Sequence, residues 1–98
     1  MIKPRKAELV VTPKAGSPEL IAISVVPFVL GRTGANWTTE DSAVSRRHCE
    51  FVHAGDGWMV RDLKSSNGTM VNGEKISEKV LSEGDTVRIG HTDLVFRY

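Results

Sequence analysis

Apolar and β-branched residues recur at every second position in several short runs, and clusters of Gly, Asn, Asp and Pro separate the runs. A strand with one buried face produces that period, because successive side chains point to opposite sides of the sheet. Ala7 to Thr12 predicts a first strand, with Leu9 and Val11 on one face and Glu8 and Thr12 on the other. The turn-forming stretch 13–18 leads to an apolar run from Glu19 to Val26, in which Ile21, Ile23 and Val25 alternate. Pro27 interrupts this run, and Phe28-Val29-Leu30 resumes as a short strand ending at Gly31-Arg32. Residues 33–44 have no helical period and read as a loop. Cys49 to Ala54 and Trp58 to Arg61 predict a hairpin around Gly55-Asp56-Gly57, with Trp58 and Val60 on one face. Asp62 to Ser66 reads as a loop, and Asn67-Gly68 and Asn72-Gly73 are turn signals flanking Thr69-Met70-Val71. Glu83-Gly84-Asp85 makes a further turn before Thr86 to Ile89 and Asp93 to Tyr98, a closing hairpin that buries Val87, Ile89, Leu94 and Phe96.

Many short strands, frequent turn signals and no helical segment predict an all-β sandwich. The connecting loops of a sandwich gather at its two ends. Arg32, Ser45, Arg46 and Asn67, distant in sequence, can therefore share one loop surface.

Composition narrows what that surface can bind. The 98 residues suffice for one small domain, expected over 7–98 behind a polar, basic lead-in at 1–6. Thirteen Lys and Arg against twelve Asp and Glu leave a net charge of +1, which argues against nucleic acid as a partner. Anion recognition must then be local. A single cysteine, Cys49, excludes an intrachain disulfide and a thiolate metal cluster, and His53 and His91 have no partner at metal-ligand spacing. No metal and no cofactor are expected. No apolar run approaches the ~20 residues of a membrane helix, and the N-terminus leads into no signal-peptide core. The expectation is a monomeric domain in the cytoplasm, without membrane insertion.

Ser45-Arg46-Arg47-His48 concentrates the candidate chemistry just before the Cys49 strand. Guanidinium groups offer a rigid fork of donors that matches phosphate oxygens, and a hydroxyl adds a short donor beside them. Gly31-Arg32 lies before this stretch and Ser66-Asn67-Gly68-Thr69 after it. Together these residues suit an anionic, oxygen-rich ligand.

Four blocks of the chain resemble the forkhead-associated (FHA) domain: Phe28 to Arg32, Val44 to His48, Asp62 to Gly73, and Leu81 to Gly90. The resemblance implies a sandwich of two antiparallel sheets with about eleven strands. It also implies binding of phosphothreonine peptides by loops at one end, without catalysis. The loop Asn36 to Asp41 departs from the apolar pattern of that family, and Trp37 is its one large apolar residue.

On this reading Arg32, Ser45, Arg46, Ser66 and Asn67 form the recognition surface. Arg32 supplies a charge-assisted bond to a phosphate bearing roughly −1.5 to −2; otherwise it is a surface residue ending a strand. Ser45 donates its hydroxyl or caps a turn. Arg46 contacts phosphate through its backbone N–H or its side chain, while Arg47 is solvated and Lys64 a free surface lysine. Ser66 adds a phosphate contact. The Asn67 amide, with donors and an acceptor, pairs with peptide backbone, or Asn67 serves a tight turn in left-handed space, or both. Gly31 permits close backbone approach, Asp62 bonds loop amides, and Gly68, Asn72 and Gly73 shape the binding loops. Ser45 and His48 have the spacing of a nucleophile and base, but no third group orients the imidazole. The resemblance makes His48 structural. The partner is then a phosphothreonine-containing protein, and the alternative is a phosphate-independent interaction or oligomerisation domain on the same fold.

Overall fold

The computed structural model describes residues 6–13 and 15–98, so the lead-in expected at 1–6 lies, apart from Lys6, outside the described residues. Among the described residues eleven strands make up the fold: β1 Glu8–Thr12, β2 Glu19–Ala22, β3 Phe28–Gly31, β4 Trp37–Thr38, β5 Cys49–Ala54, β6 Gly57–Asp62, β7 Thr69–Val71, β8 Glu74–Ile76, β9 Glu78–Val80, β10 Thr86–Ile89 and β11 Thr92–Arg97. They form a six-stranded sheet, β2-β1-β11-β10-β7-β8, and a five-stranded sheet, β4-β3-β5-β6-β9.

The alternating residues set which faces meet. Leu9, Val11, Val87, Ile89, Leu94 and Phe96 of the six-stranded sheet, and Leu30, Phe51 and Val60 of the five-stranded one, have 0% exposure. Fully burying a side chain of this size contributes about 1.5–3 kcal/mol, so these two inward faces hold the sheets together. Trp58 joins the same core, and Cys49, fully buried, has its thiol pKa pushed up, foremost by burial and then by Asp62 and Glu50. Val71 and Glu74 pair across Asn72-Gly73, where both turn residues have positive φ (51° and 83°). That conformation matches the twist of a two-residue hairpin, and Asn and Gly are the residues that tolerate it.

Two local expectations are corrected. The run Glu19 to Val26 does not continue as one strand: β2 ends at Ala22, opposite Glu8 at the start of β1. Beyond Ile23, whose N–H still reaches Ala7 O at 3.0 Å, no pairing continues among the described residues. The chain crosses to the other sheet at Phe28, and Val25 is 49% exposed instead of joining Ile23 inside. The loop 33–44 contains β4, which pairs in parallel with β3 through Leu30–Trp37 and Gly31–Thr38. Trp37 packs against the core and its indole N–H donates to Glu19 Oε1 at 3.0 Å, linking the two sheets at their edges. β8 and β9 follow Asn72-Gly73 as edge strands without an alternating apolar pattern, joined through Ser77 as the chain passes from one sheet to the other.

The registers bring the loops to one end. Leu30, Cys49 and Asp62 lie side by side in one sheet, and Thr69, Ile89 and Thr92 in the other. The segments 32–48, 63–68 and 90–91 therefore leave the same end of the sandwich.

Candidate functional site

The first part of the site is a backbone zipper between Gly31-Arg32-Thr33 and Ser45-Arg46. Arg32 N–H donates to Ser45 O at 3.1 Å and Thr33 N–H to Arg46 O at 3.2 Å. A Cβ at position 31 would stand 1.9 Å from Arg46 O, so only glycine admits this approach. Arg32 is thereby held beside Ser45 and Arg46. Arg32 and Arg46 are exposed, and their guanidinium groups have no hydrogen-bond partner among the described residues. Arg47 differs: its Nη1 donates to Gly34 O at 3.0 Å.

His48 ties the segments 32–48 and 63–68 together from below. It is fully buried; Nδ1 accepts the Ser45 N–H at 3.0 Å and Nε2 bonds Gly68 O at 2.8 Å. A ring nitrogen that receives an N–H must be the unprotonated one, so Nε2 carries the proton and donates to the carbonyl. Both nitrogens are committed to backbone, and the Ser45 hydroxyl is bonded elsewhere. The nucleophile–base arrangement is absent from this Ser-x-x-His stretch. The Ser45 Oγ instead accepts the Ser66 N–H at 3.0 Å, which leaves the hydroxyl proton open to an outside acceptor.

Asp62 organises the next segment. Its carboxylate accepts the Ser65 N–H (3.2 Å), the Ser65 hydroxyl and the Thr69 hydroxyl (2.8 Å), and the Ser65 oxygen accepts the Gly68 N–H (2.9 Å). Burial works to raise the Asp62 pKa, but the bonds from Ser65 and Thr69 outweigh it and the pKa is lowered. Ser66 and Asn67 stand exposed on this frame. Asn67 Nδ2 donates to Ala43 O at 2.8 Å, which leaves its second amide proton and Oδ1 without partners among the described residues. Asn67 is not in left-handed space; that conformation falls to Lys64 (φ 57°) and Gly68 (φ 87°). The stem of Lys75, a residue without any motif, lies over Gly68, its Cε 2.7 Å from where a Cβ would stand.

Asn72 and Gly73 do not support these loops. They follow β7 at its far end, about 10 Å from Thr69 at the usual strand rise. There Asn72 Oδ1 accepts the Thr86 N–H and Nδ2 donates to Asp85 Oδ1, both at 3.0 Å. Their role is to close the opposite end of the sandwich.

Asp41 was not legible as a site residue, although the fold places it at the centre of the loop end. It is 6% exposed and accepts the Ala43 N–H at 3.0 Å, the His91 N–H at 2.6 Å and the Thr92 hydroxyl at 3.2 Å. Burial raises its pKa, but the bonds from His91, Ala43 and Thr92 win, and it falls to about 2. The Asp41-Ser42-Ala43 step is an Asx turn, a signal available in sequence; the partners at 91 and 92 are not. Beside Asn67 a groove of about 370 Å³ opens, lined among others by Ala43, Met70, Arg88 and His91. Arg88 on its wall is paired with Asp93 at 3.0 Å. Among the described residues no three His, Cys, Asp or Glu side chains are grouped to hold a metal ion, and no helix is long and apolar enough to cross a membrane.

The molecule is thus a two-sheet sandwich that gathers, on loops at one end, cationic and hydroxyl donors without partners among the described residues. The FHA domain family model matches residues 28–90, well over half of the chain, and the chain belongs to that family. It is 39% identical over 70 residues to the FHA domain-containing protein FhaA of Mycobacterium tuberculosis; the match covers 70% of this chain and 13% of that protein. The fold superimposes with a TM-score of 0.87 on an FHA domain solved in a structural and functional analysis of phosphothreonine-dependent FHA domain interactions, at 32% identity, covering 96% of this chain and 97% of that one. The FhaA FHA domain complexed with the intracellular domain of Rv3910 gives 0.84 at 33% identity, covering 93% and 99%.

Proposed function

We propose that residues 7–98 form one recognition module that binds phosphothreonine-containing segments of partner proteins at this loop end, without catalysis. The observation that carries the reading is the Arg32–Ser45–Arg46 cluster. Two guanidinium groups and a hydroxyl proton, without partners among the described residues, stand on backbone that Gly31 and His48 hold in place. A phosphate accepts charge-assisted bonds from such donors without first breaking bonds inside the protein. Ser66 adds a polar contact next to Ser45, and the free amide atoms of Asn67 pair with the backbone of the extended peptide beside the phosphorylated residue. The phosphothreonine-dependent interactions studied for the similar FHA domain support this choice of ligand. The domain acts as a monomer on the cytoplasmic side, and its partner is a protein.

The test is a pull-down from a degenerate phosphothreonine peptide library, with unphosphorylated twins and with Arg32→Ala protein. Enrichment is expected only with phosphate and intact Arg32. Truncating this contact should cost about 2–5 kcal/mol, or roughly 30-fold or more in affinity. Equal capture of unphosphorylated peptides, or by the Arg32→Ala protein, would refute the reading.

A further inference from the structure

One buried carboxylate holds both lips of the groove beside Asn67. Asp41 Oδ1 accepts the Ala43 N–H at 3.0 Å and faces His91 Nδ1 at 3.3 Å, while Oδ2 accepts the His91 N–H at 2.6 Å and the Thr92 hydroxyl at 3.2 Å. Ala43, so held, presents its carbonyl to Asn67 Nδ2 at 2.8 Å. The relay therefore runs from the β10–β11 turn through Asp41 and Ala43 to the exposed amide of Asn67. The turn closes directly on the carboxylate: a Cβ on Gly90 would lie 2.8 Å from Asp41 Oδ2 and 2.9 Å from Val44 Cγ2. Asp41 itself has a side chain only 1% exposed, so it acts through its neighbours and not on a ligand.

We propose that Asp41 is the positioning residue for peptide reading, fixing the Asn67 amide through Ala43 and the separation of Asn67 from His91 across the groove. This rests on the phosphopeptide reading above. Its physical basis is preorganisation. An exposed asparagine on a loop surrenders rotamer freedom when it binds, and an amide already fastened at one proton surrenders less. The requirement is for a carboxylate, because donors converge on both oxygens. An amide at this position would turn its own N–H₂ toward a backbone N–H, that of Ala43 or that of His91, and lose that bond.

The experiment is a double-mutant cycle with Asp41→Asn, Asn67→Ala and the pair. The probe is the phosphothreonine peptide that wild-type protein enriches most from the library. Asn67→Ala is expected to weaken binding about tenfold and Asp41→Asn about three- to tenfold, the range of one or two lost hydrogen bonds. The pair should be no weaker than Asn67→Ala within about twofold, because both remove the same interaction. In ¹⁵N-edited NMR spectra the Asn67 side-chain amide pair should shift in Asp41→Asn while the backbone dispersion of the folded domain is kept. If Asp41→Asn does not fold, Thr92→Val takes its place in the cycle. It removes one donor at nearly constant volume, and should weaken binding about twofold and move the same Asn67 signal. Multiplicative losses in the pair, or an unmoved Asn67 signal, would overturn the proposal while leaving the phosphopeptide reading intact. A folded wild-type protein that enriches no phosphopeptide overturns both.

Discussion

Replacing His48 by alanine tests the framework under the loops most directly. The imidazole is fully buried and closes two backbone groups, the Ser45 N–H and the Gly68 C=O. Truncation leaves both facing a void. Each orphaned group costs about 1–3 kcal/mol, and a void near the size of one ring adds about 1–2 kcal/mol at ~24 cal/mol per Å³. Water entering the polar void recovers part of this, so the expected loss is about 4 kcal/mol. For a domain of this size that corresponds to a fall in Tm of roughly 15–30 °C. Urea unfolding followed by circular dichroism measures it, and an unchanged m-value would show that the effect lies in the folded state. Arg47→Ala is the control: its side-chain bond to Gly34 O is exposed, and the change should stay within about 0.5 kcal/mol. A His48→Ala protein within about 1 kcal/mol of wild type would mean that the two bonds do not fasten the loops, and the reasoning would fail.

Gly31→Ala should break the zipper outright, since its Cβ would meet Arg46 O at 1.9 Å; loss of phosphopeptide binding together with a lower Tm is expected, and a variant that keeps wild-type affinity would contradict the packing. Acid should weaken the fold through Asp41 and Asp62. Both carboxyls have lowered pKa values in the folded state, Asp41 falling from 3.8 to about 2, so their stabilisation is complete above the unfolded value and is lost as pH falls from about 4 toward 2. Urea midpoints should be level from pH 7 to 5 and decline below pH 4, less steeply in Asp41→Asn; the same slope in that variant would remove Asp41 from the account. Asn72→Ala should cost about 1–2 kcal/mol, because two side-chain bonds and a residue suited to φ 51° are lost, yet it should leave phosphopeptide affinity unchanged at the far end of the sandwich. Calorimetric titration of that variant checks the second half, and weakened binding would return Asn72 to the loop end.

The strands that bury an alternating face were legible in the residues themselves. Leu9 and Val11, Val87 and Ile89, and Leu94 and Phe96 all point inward as the period of two requires, because burial acts on each side chain separately and leaves its mark locally. Strands at the edges carry no such mark. Glu78-Lys79-Val80 is exposed along its whole length, and the chain pairs there because β6 offers an open edge. The cluster of Arg32, Ser45, Arg46 and Asn67 was likewise foreseeable, since loops of a sandwich gather at its ends. The bonds that orient it were not. His48 reaches Gly68 across 20 residues and Asp41 reaches His91 across 50, and each contact exists only once two sheets have stacked in their particular registers. Asn67 and Asn72 show the same division: both precede a glycine, yet only Asn72 takes the left-handed conformation, because β7 and β8 pair across it while Asn67 is drawn toward Ala43. Local chemistry decided which residues could bind an anion and which faces would be buried. Packing decided which polar groups would be spent on holding the loops and which would be left free.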